Sequence, residues 1–498
     1  MRAFHNLRQR YKAALHHTGS ILLLGAILML TPLAALAAWP KERGDAAGFL
    51  LPAAGLLFLG AALWLAFRRE PGETLTVQDG GVIVLLSWVT ICLSCAWPFM
   101  TVQKLTFTQG LFESVSGWTT TGLSVVDVTA ADHVILLWRS IMQLAGGAGL
   151  AIIMLAAIMG PIGPAISIAE GRSEQLVPHV RGSAKLVLLL YGGYAILGVA
   201  AYVLAGMDWF DAVNHAFAAI STGGFSTRSA SIGYWDSAVV EAVSIVLMCL
   251  GNLNFYTAYL LLHGRFRAVG RNGEIRLMAV LMPLGILVLF FLVCRGLYPT
   301  LGKTVRVAVF ETVTALTTTG FSTVGYEGWN AVGWYVLILL MLIGGGAGST
   351  AGGLKQYRVF VLFQSVLWEI RQSLLPRSAV VQNYIWQGEK KDFITEQRVR
   401  QIGTFAFLYL ATFLIGAGII AANGYGLAEA LFEFASALGT VGLSVGVTGA
   451  QTPPAVLWVQ IIGMFLGRLE FFVVIVSLLR IARDLPSLVG GARIGELR

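Results

Sequence analysis

The chain has 498 residues, 56% of them hydrophobic and only 12% charged, with a mean hydropathy of +0.75. That balance excludes a water-soluble globular protein, in which apolar and charged residues make up roughly half and a quarter of the total. The formal net charge of +8 does not point to nucleic acid, because Lys and Arg stand between apolar runs and not on one soluble face.

Arg2, Arg8, Arg10 and Lys12 precede an apolar stretch from Ile21 to Ala38, the layout of a secretory signal peptide. With so many apolar runs downstream, a retained first membrane helix is expected instead. A helix needs roughly 20 apolar residues to cross about 30 Å of hydrocarbon. Runs of this kind fall near 20–39, 47–67, 80–100, 134–159, 185–206, 238–263, 277–297, 332–343 continuing past a glycine break to about 366, 402–422 and 455–480, which predicts ten crossings. Between certain pairs lie short helical stretches near 107–119, 209–221, 306–317 and 427–438, each ending in a Thr- and Gly-rich turn. These are too short to span and are predicted to enter the membrane and return. Cys92, Cys95, Cys249 and Cys294 lie inside apolar segments with no metal-ligand spacing, and read as small core residues.

Loops on alternate sides should differ in Lys and Arg. One set carries Arg68 and Arg69; Arg172, Arg181 and Lys185; Arg265, Arg267, Arg271 and Arg276; Lys355 through Arg400; and Arg480, Arg483, Arg493 and Arg498. The other set has only scattered charges such as Lys41, Arg43, Lys104, Lys303 and Arg306. Both termini are therefore expected in the cytoplasm.

An internal repeat organises the chain. Four loops read T-T-T-G-L-S at Thr119–Ser124, S-T-G-G-F-S at Ser221–Ser226, T-T-T-G-F-S at Thr317–Ser322 and G-T-V-G-L-S at Gly439–Ser444. Nine residues before the aligned glycines Gly122, Gly224, Gly320 and Gly442 stand Glu113, His215, Glu311 and Glu433. The unit is span, half-helix, loop, span, repeated four times after two extra N-terminal helices. The expected division is 1–70 for the tail and extra helices, then pore units at 71–170, 171–270, 271–390 and 391–498. Each unit crosses twice, so all four loops face the same side and can surround one axis, unlike the elements of an inverted repeat.

A dehydrated cation needs its hydration shell replaced, and rings of backbone carbonyls do this without adding a charge that would trap it. Glycine tolerates the positive φ such a backbone demands, threonine hydroxyls can extend the oxygen ladder, and the half-helices aim the negative ends of their dipoles inward. The ion-binding residues are predicted to be Thr120, Thr121 and Gly122; Thr222, Gly223 and Gly224; Thr318, Thr319 and Gly320; and Thr440, Val441 and Gly442. Glu113, Glu311 and Glu433 suit either structural hydrogen bonds or direct ion contact, and His215 breaks any ring of charge.

The third unit contains Gly344, Gly345, Gly346, Ala347, Gly348, Ser349, Thr350, Ala351, Gly352 and Gly353 in succession, followed by Leu354 and Lys355. Such a run cannot be a regular helix, and irregular backbone at membrane depth is tolerated only where protein or a water-filled cavity surrounds it. It is expected in the pore below the filter as a movable constriction. Its match to G-x-G-x-x-A lacks the preceding strand of a dinucleotide site. Arg468, deep in the 455–480 run, needs polar company; it is expected on the ion path, bonding the glycine loop in a closed state, the alternative being a pairing with Glu470 or Glu433. Arg139 is expected to be structural or interfacial.

These loops, G-S-T-A-G-G-L-K at Gly348–Lys355, L-W-R-S at Leu137–Ser140 and L-G-R-L-E at Leu466–Glu470 together resemble the Trk/Ktr/HKT superfamily of K⁺ transporters, specifically its TrkH-type membrane subunits, over almost the whole chain. The resemblance implies an all-α integral membrane protein with a pseudo-fourfold pore in one subunit. It also implies a homodimer in membrane lipid, a gating loop in unit three, a basic residue in the last span at Arg468, and residence in a bacterial cytoplasmic (inner) membrane. K⁺ is then the transported ion, with no organic cofactor, and a separate cytoplasmic TrkA-like nucleotide-binding protein is the regulatory partner. Relatives with serine at the first filter position tend to favour Na⁺, and all four positions here are glycine. The fourth loop looks more like the Ktr branch, which leaves open the regulatory partner and any co-transported ion; a Na⁺- or H⁺-coupled symporter of the same fold is the alternative. A carrier of larger solutes would show inverted repeats. A membrane enzyme would need a nucleophile and base or a metal cluster, and the seven His residues form none.

Overall fold

The computed structural model describes residues 2–67, 76–149, 180–376 and 382–490. The later part of the span expected at 134–159, the basic residues Arg68, Arg69, Arg172, Arg493 and Arg498, and the expected unit boundaries at 70 and 170 lie outside the described residues. Helix dominates, and among the described residues the only strands are Tyr384–Gln387 and Lys390–Phe393, an antiparallel hairpin.

Two helices precede the repeat. The first, Arg2–Leu30, runs unbroken from the basic tail into the apolar stretch, so it starts well before the expected residue 20. A 3-10 turn at Thr31–Ala34 containing Pro32 follows it. Its partner, Ala46–Ala66, packs along it. A Cβ on Gly19 would lie 2.7 Å from the Gly60 carbonyl oxygen, and one on Gly60 would lie 2.9 Å from that of Gly19. Small residues that let two backbones touch are a common basis of helix association in lipid, where burial of apolar side chains supplies little drive.

Four units of one design follow. Their first helices are Val77–Cys95, Val180–Leu204, Gly273–Leu289 and Glu396–Ala422; their short pore helices are Phe107–Trp118, Trp209–Ile220, Leu301–Leu316 and Leu427–Leu438. The second helices begin at His133, Ala238, Ala331 and Pro454. Each pore helix starts on a residue suited to the task. Thr106 and Gln109 form a capping box, Asp208 accepts from the Phe210 amide, Thr300 accepts from the Lys303 amide, and Glu429 accepts from the Gly426 amide. These bonds satisfy amides that the first turn leaves without helical partners. The Thr300 cap also explains why the third pore helix begins at Leu301 and not near 306 as expected.

Of the ten expected crossings, six are, among the described residues, helices long and apolar enough to span alone, and two more qualify only as bent pairs. The run at 238–263 is not one straight helix: Ala238–Asn252 and Phe255–Leu262 meet at 114°. The Asn254 side chain accepts from the Tyr256 amide at 2.8 Å and so starts a new helix in a new direction. The run at 455–480 likewise breaks at Glu470, which has a left-handed φ of 60°, and the segments on either side are bent by 102°. Hydropathy registers apolarity and not φ, so neither break shows in it. The eighth run is the 13-residue helix Ala331–Ile343, the glycine stretch and then the helix Gln356–Ser373.

Large apolar side chains such as Leu51, Phe58, Ile196, Leu204 and Phe407 are exposed, an outer surface that suits hydrocarbon and not water. The pore helices are buried at their centre.

Candidate ion pathway

The four loops share one strained backbone. Thr120, Thr222, Thr318 and Thr440 have φ of 55°, 50°, 54° and 50°, and the aligned glycines Gly122, Gly224, Gly320 and Gly442 have φ of 96°, 73°, 83° and 101°. Positive φ at a β-branched residue is an outlier that costs on the order of 1–3 kcal/mol. Its recurrence at the same place in every loop shows a conformation imposed by the surroundings.

The glycines are where the loops meet. A Cβ on Gly122 would strike the carbonyl oxygen of Gly223, one on Gly224 that of Thr319, one on Gly320 that of Val441, and one on Gly442 that of Thr121. Each loop therefore abuts the next, and the fourth abuts the first. The result is a closed ring in which Thr121, Gly223, Thr319 and Val441 present main-chain oxygens at corresponding positions. The twelve predicted ion-binding residues fall together on this ring.

Nine residues upstream of each glycine, a buried side chain ties the pore helix to the outgoing arm of the loop. Glu113 accepts from the Ser124 hydroxyl at 2.7 Å and from the Val125 and Val126 amides. Glu311 accepts from the Thr323 amide and hydroxyl and from the Tyr326 hydroxyl, and Glu433 from the Ser444 hydroxyl and the Val445 and Thr448 amides. Of the two roles these carboxylates suit, the geometry displays the structural one. In unit two His215 Nε2 lies 2.9 Å from the Ser226 hydroxyl, while Asp211, one turn earlier, accepts from Thr227 and Arg228. Arg139 is structural and buried: it donates to the Ser226 carbonyl at 3.1 Å and the Ser124 hydroxyl at 2.9 Å, lies 3.4 Å from Glu113 and stacks over Phe225.

On the side where the pore helices start, a vestibule of about 580 Å³ opens onto all four aligned glycines. Asp127 lines it, and hydrogen bonds from the Thr129 hydroxyl and amide hold its carboxyl below the usual range, keeping a negative charge at the mouth.

The glycine stretch closes in on the opposite end of the ring. Thr350 places its hydroxyl 3.2 Å from that of Thr222, the Gly352 amide donates to the Thr318 hydroxyl at 2.7 Å, and a Cβ on Gly352 would strike the Thr440 hydroxyl. The stretch thus touches three of the four strained threonines. The Thr120 and Thr440 hydroxyls are buried and make no hydrogen bond to a described group. Left-handed φ at Gly344, Gly348 and Gly353 lets the chain fold on itself, with the Gly345 amide donating to Gly352 and the Ser349 hydroxyl to Gly346. Arg468 reaches this stretch from the last unit, donating to the Thr350 carbonyl at 2.6 Å and to the Gly146 carbonyl of unit one at 2.6 Å. The carboxylates offered as alternative partners are engaged elsewhere: Glu470 lies 2.6 Å from Arg358, and Glu433 serves the fourth loop.

Three further residues, which sequence reasoning missed, anchor the stretch. The Ala347 amide donates to Glu274 at 2.6 Å, the Asn254 amide group donates to the Ala347 carbonyl at 2.5 Å, and the Gly346 amide donates to the Asn252 carbonyl at 3.3 Å. The available signal was Asn252-Leu253-Asn254, two polar residues inside an apolar run.

A family model described as TrkH, cation transport protein, matches residues 49–484. The chain belongs to the TrkH family. It is 32% identical to the Trk system potassium uptake protein TrkH of Escherichia coli over 437 residues, covering 84% of this chain and 89% of that one. It is 29% identical to an uncharacterized cation transporter of Methanocaldococcus jannaschii, covering 93% and 94% of the two chains. The crystal structure of the potassium transporter TrkH from Vibrio parahaemolyticus superimposes with a TM-score of 0.82 at 30% identity, covering 94% of this chain and 98% of that one. This TrkH-family chain is therefore a multi-pass all-α membrane transporter and not an enzyme.

Proposed function

We propose that this chain takes up K⁺ across a bacterial inner membrane, both termini cytoplasmic, through a filter made by its four loops. The observation that carries the reading is the closed ring of glycines and carbonyl oxygens, which offers a bare cation equivalent uncharged ligands from four directions. The potassium uptake and potassium transporter functions named for its relatives support K⁺ as the favoured ion. In this reading Gly344–Gly353 is the gate, stacked against the inner end of the ring and held there by Arg468. The relatives' designation as part of a Trk system supports a multi-component assembly, read here as a homodimer in lipid with a cytoplasmic TrkA-like nucleotide-binding regulator. The deciding experiment is ⁸⁶Rb⁺ uptake into proteoliposomes with competing Na⁺ or K⁺. The wild type should be blocked by K⁺ far better than by Na⁺, and Gly122→Ser, whose side chain must displace the Gly223 carbonyl, should lose about tenfold or more of that preference. Equal competition by the two ions in the wild type, or an unaltered preference in the variant, rejects the reading. Running the assay with and without Na⁺ or H⁺ gradients separates a channel from a symporter.

A further inference from the structure

The four loops are alike in backbone but not in what stands behind them. In units one and four a serine six residues before the aligned glycine, Ser116 or Ser436, accepts from that glycine's amide at 3.1 and 3.0 Å. In units one and three the threonine just before the glycine, Thr121 or Thr319, places its hydroxyl 2.8 Å from that of Thr119 or Thr317, which in turn donates to the pore helix. Unit two has neither device, because Ala218 stands at the first place and Gly223 at the second. A Gly-Gly pair is also the most flexible backbone the chain can offer, so this loop should be the least well held.

A side chain from another unit fills the gap. Gln143, on the second helix of unit one and wholly buried, donates from Nε2 to the Gly223 carbonyl at 2.6 Å and accepts at Oε1 from the Phe225 amide at 3.1 Å. Donor and acceptor requirements fix the orientation of the amide group. A Cβ on Gly223 would land on that carboxamide. Gly223 is not among the left-handed residues, so backbone conformation does not bar a side chain there, and the atoms nearest to it belong to Gln143.

We infer that Gln143 is a positioning residue of the filter, fixing the Gly223 carbonyl as a surrogate for the threonine that units one and three place at this position. The inference rests on the filter reading above. It also accounts for the sequence S-T-G-G: the second loop has glycine where two others have threonine because its backing comes from outside the loop.

The test is ⁸⁶Rb⁺ uptake with Na⁺ competition for Gln143→Leu, which keeps bulk and loses both hydrogen bonds, and for Gln143→Ala combined with Gly223→Thr. Gln143→Leu should conduct but become about tenfold more sensitive to Na⁺, and the double variant should return to within about twofold of wild type. Gly223→Thr alone, with Gln143 still in place, should be impaired. Wild-type Na⁺ sensitivity in Gln143→Leu, alongside lost preference in Gly122→Ser, overturns the role of Gln143 and leaves the filter standing. Unaltered preference in both overturns the filter reading itself. Should Gln143→Leu fail to reconstitute, the double variant decides: selective uptake supports exchange of one backing for the other, and behaviour no better than Gly223→Thr alone refutes it.

Discussion

At the scale of single residues, the pathway is built from groups placed where their own chemistry resists them. Four β-branched threonines adopt left-handed φ, and a guanidinium inside an apolar run has main-chain carbonyls for company. Such arrangements last only when the surroundings over-determine them. Arg468 joins the Thr350 carbonyl of the glycine stretch to the Gly146 carbonyl of unit one, and hydrogen bonds from a charged donor contribute about 1.5–3 kcal/mol each. Arg468→Ala should therefore weaken the closed arrangement and raise ⁸⁶Rb⁺ leak in the absence of any regulator by about tenfold or more. A leak equal to wild type would mean that the contact does not hold a gate.

At the scale of elements, two breaks matter more than the regular helices. The bend after Asn252 sets the half-helix Phe255–Leu262 at 114° and leaves Asn252 and Asn254 bonded to the glycine stretch, with Glu274 bonded to its Ala347 amide. Unit two and the start of unit three thus clasp the stretch on one side while Arg468 clasps it on the other. Glu274→Gln replaces a charged acceptor with a neutral one, a loss of about 1 kcal/mol. The expected outcome is a several-fold higher resting leak with unchanged K⁺ over Na⁺ preference, since the ring itself is untouched; a changed preference would place Glu274 in the filter and not behind it. These breaks were the part of the fold that the sequence hid. Leucine and phenylalanine on either side of Asn254 or Glu470 read as continuous span, because apolarity alone does not report a left-handed residue or a side-chain cap. The pore-helix starts were hidden in part for a similar reason: Thr300 caps a helix five residues earlier than the apolar pattern suggests.

At the scale of the whole molecule, the fourfold repeat was legible because four copies of a short motif share one register with a residue nine positions upstream. A single T-T-T-G would have read as an ordinary turn. In the ring the loops stand in chain order. What did not follow was the division of labour between units: the glycine stretch of unit three touches threonines of units two, three and four, Arg468 of unit four reaches unit one, and Arg139 of unit one holds the loop of unit two. Cross-unit contacts of this kind have large sequence separation and no periodicity, so no local pattern encodes them. They also tie the four units into one object, adding to the bonds by which each pore helix holds its own loop. The most direct test of that object is the anomalous scattering of Rb⁺ in crystals of this chain. A peak is expected on the axis enclosed by Gly122, Gly224, Gly320 and Gly442, within coordinating distance of the Thr121, Gly223, Thr319 and Val441 carbonyl oxygens; Rb⁺ bound elsewhere in the protein, with that axis empty, would contradict the ring's role as a filter.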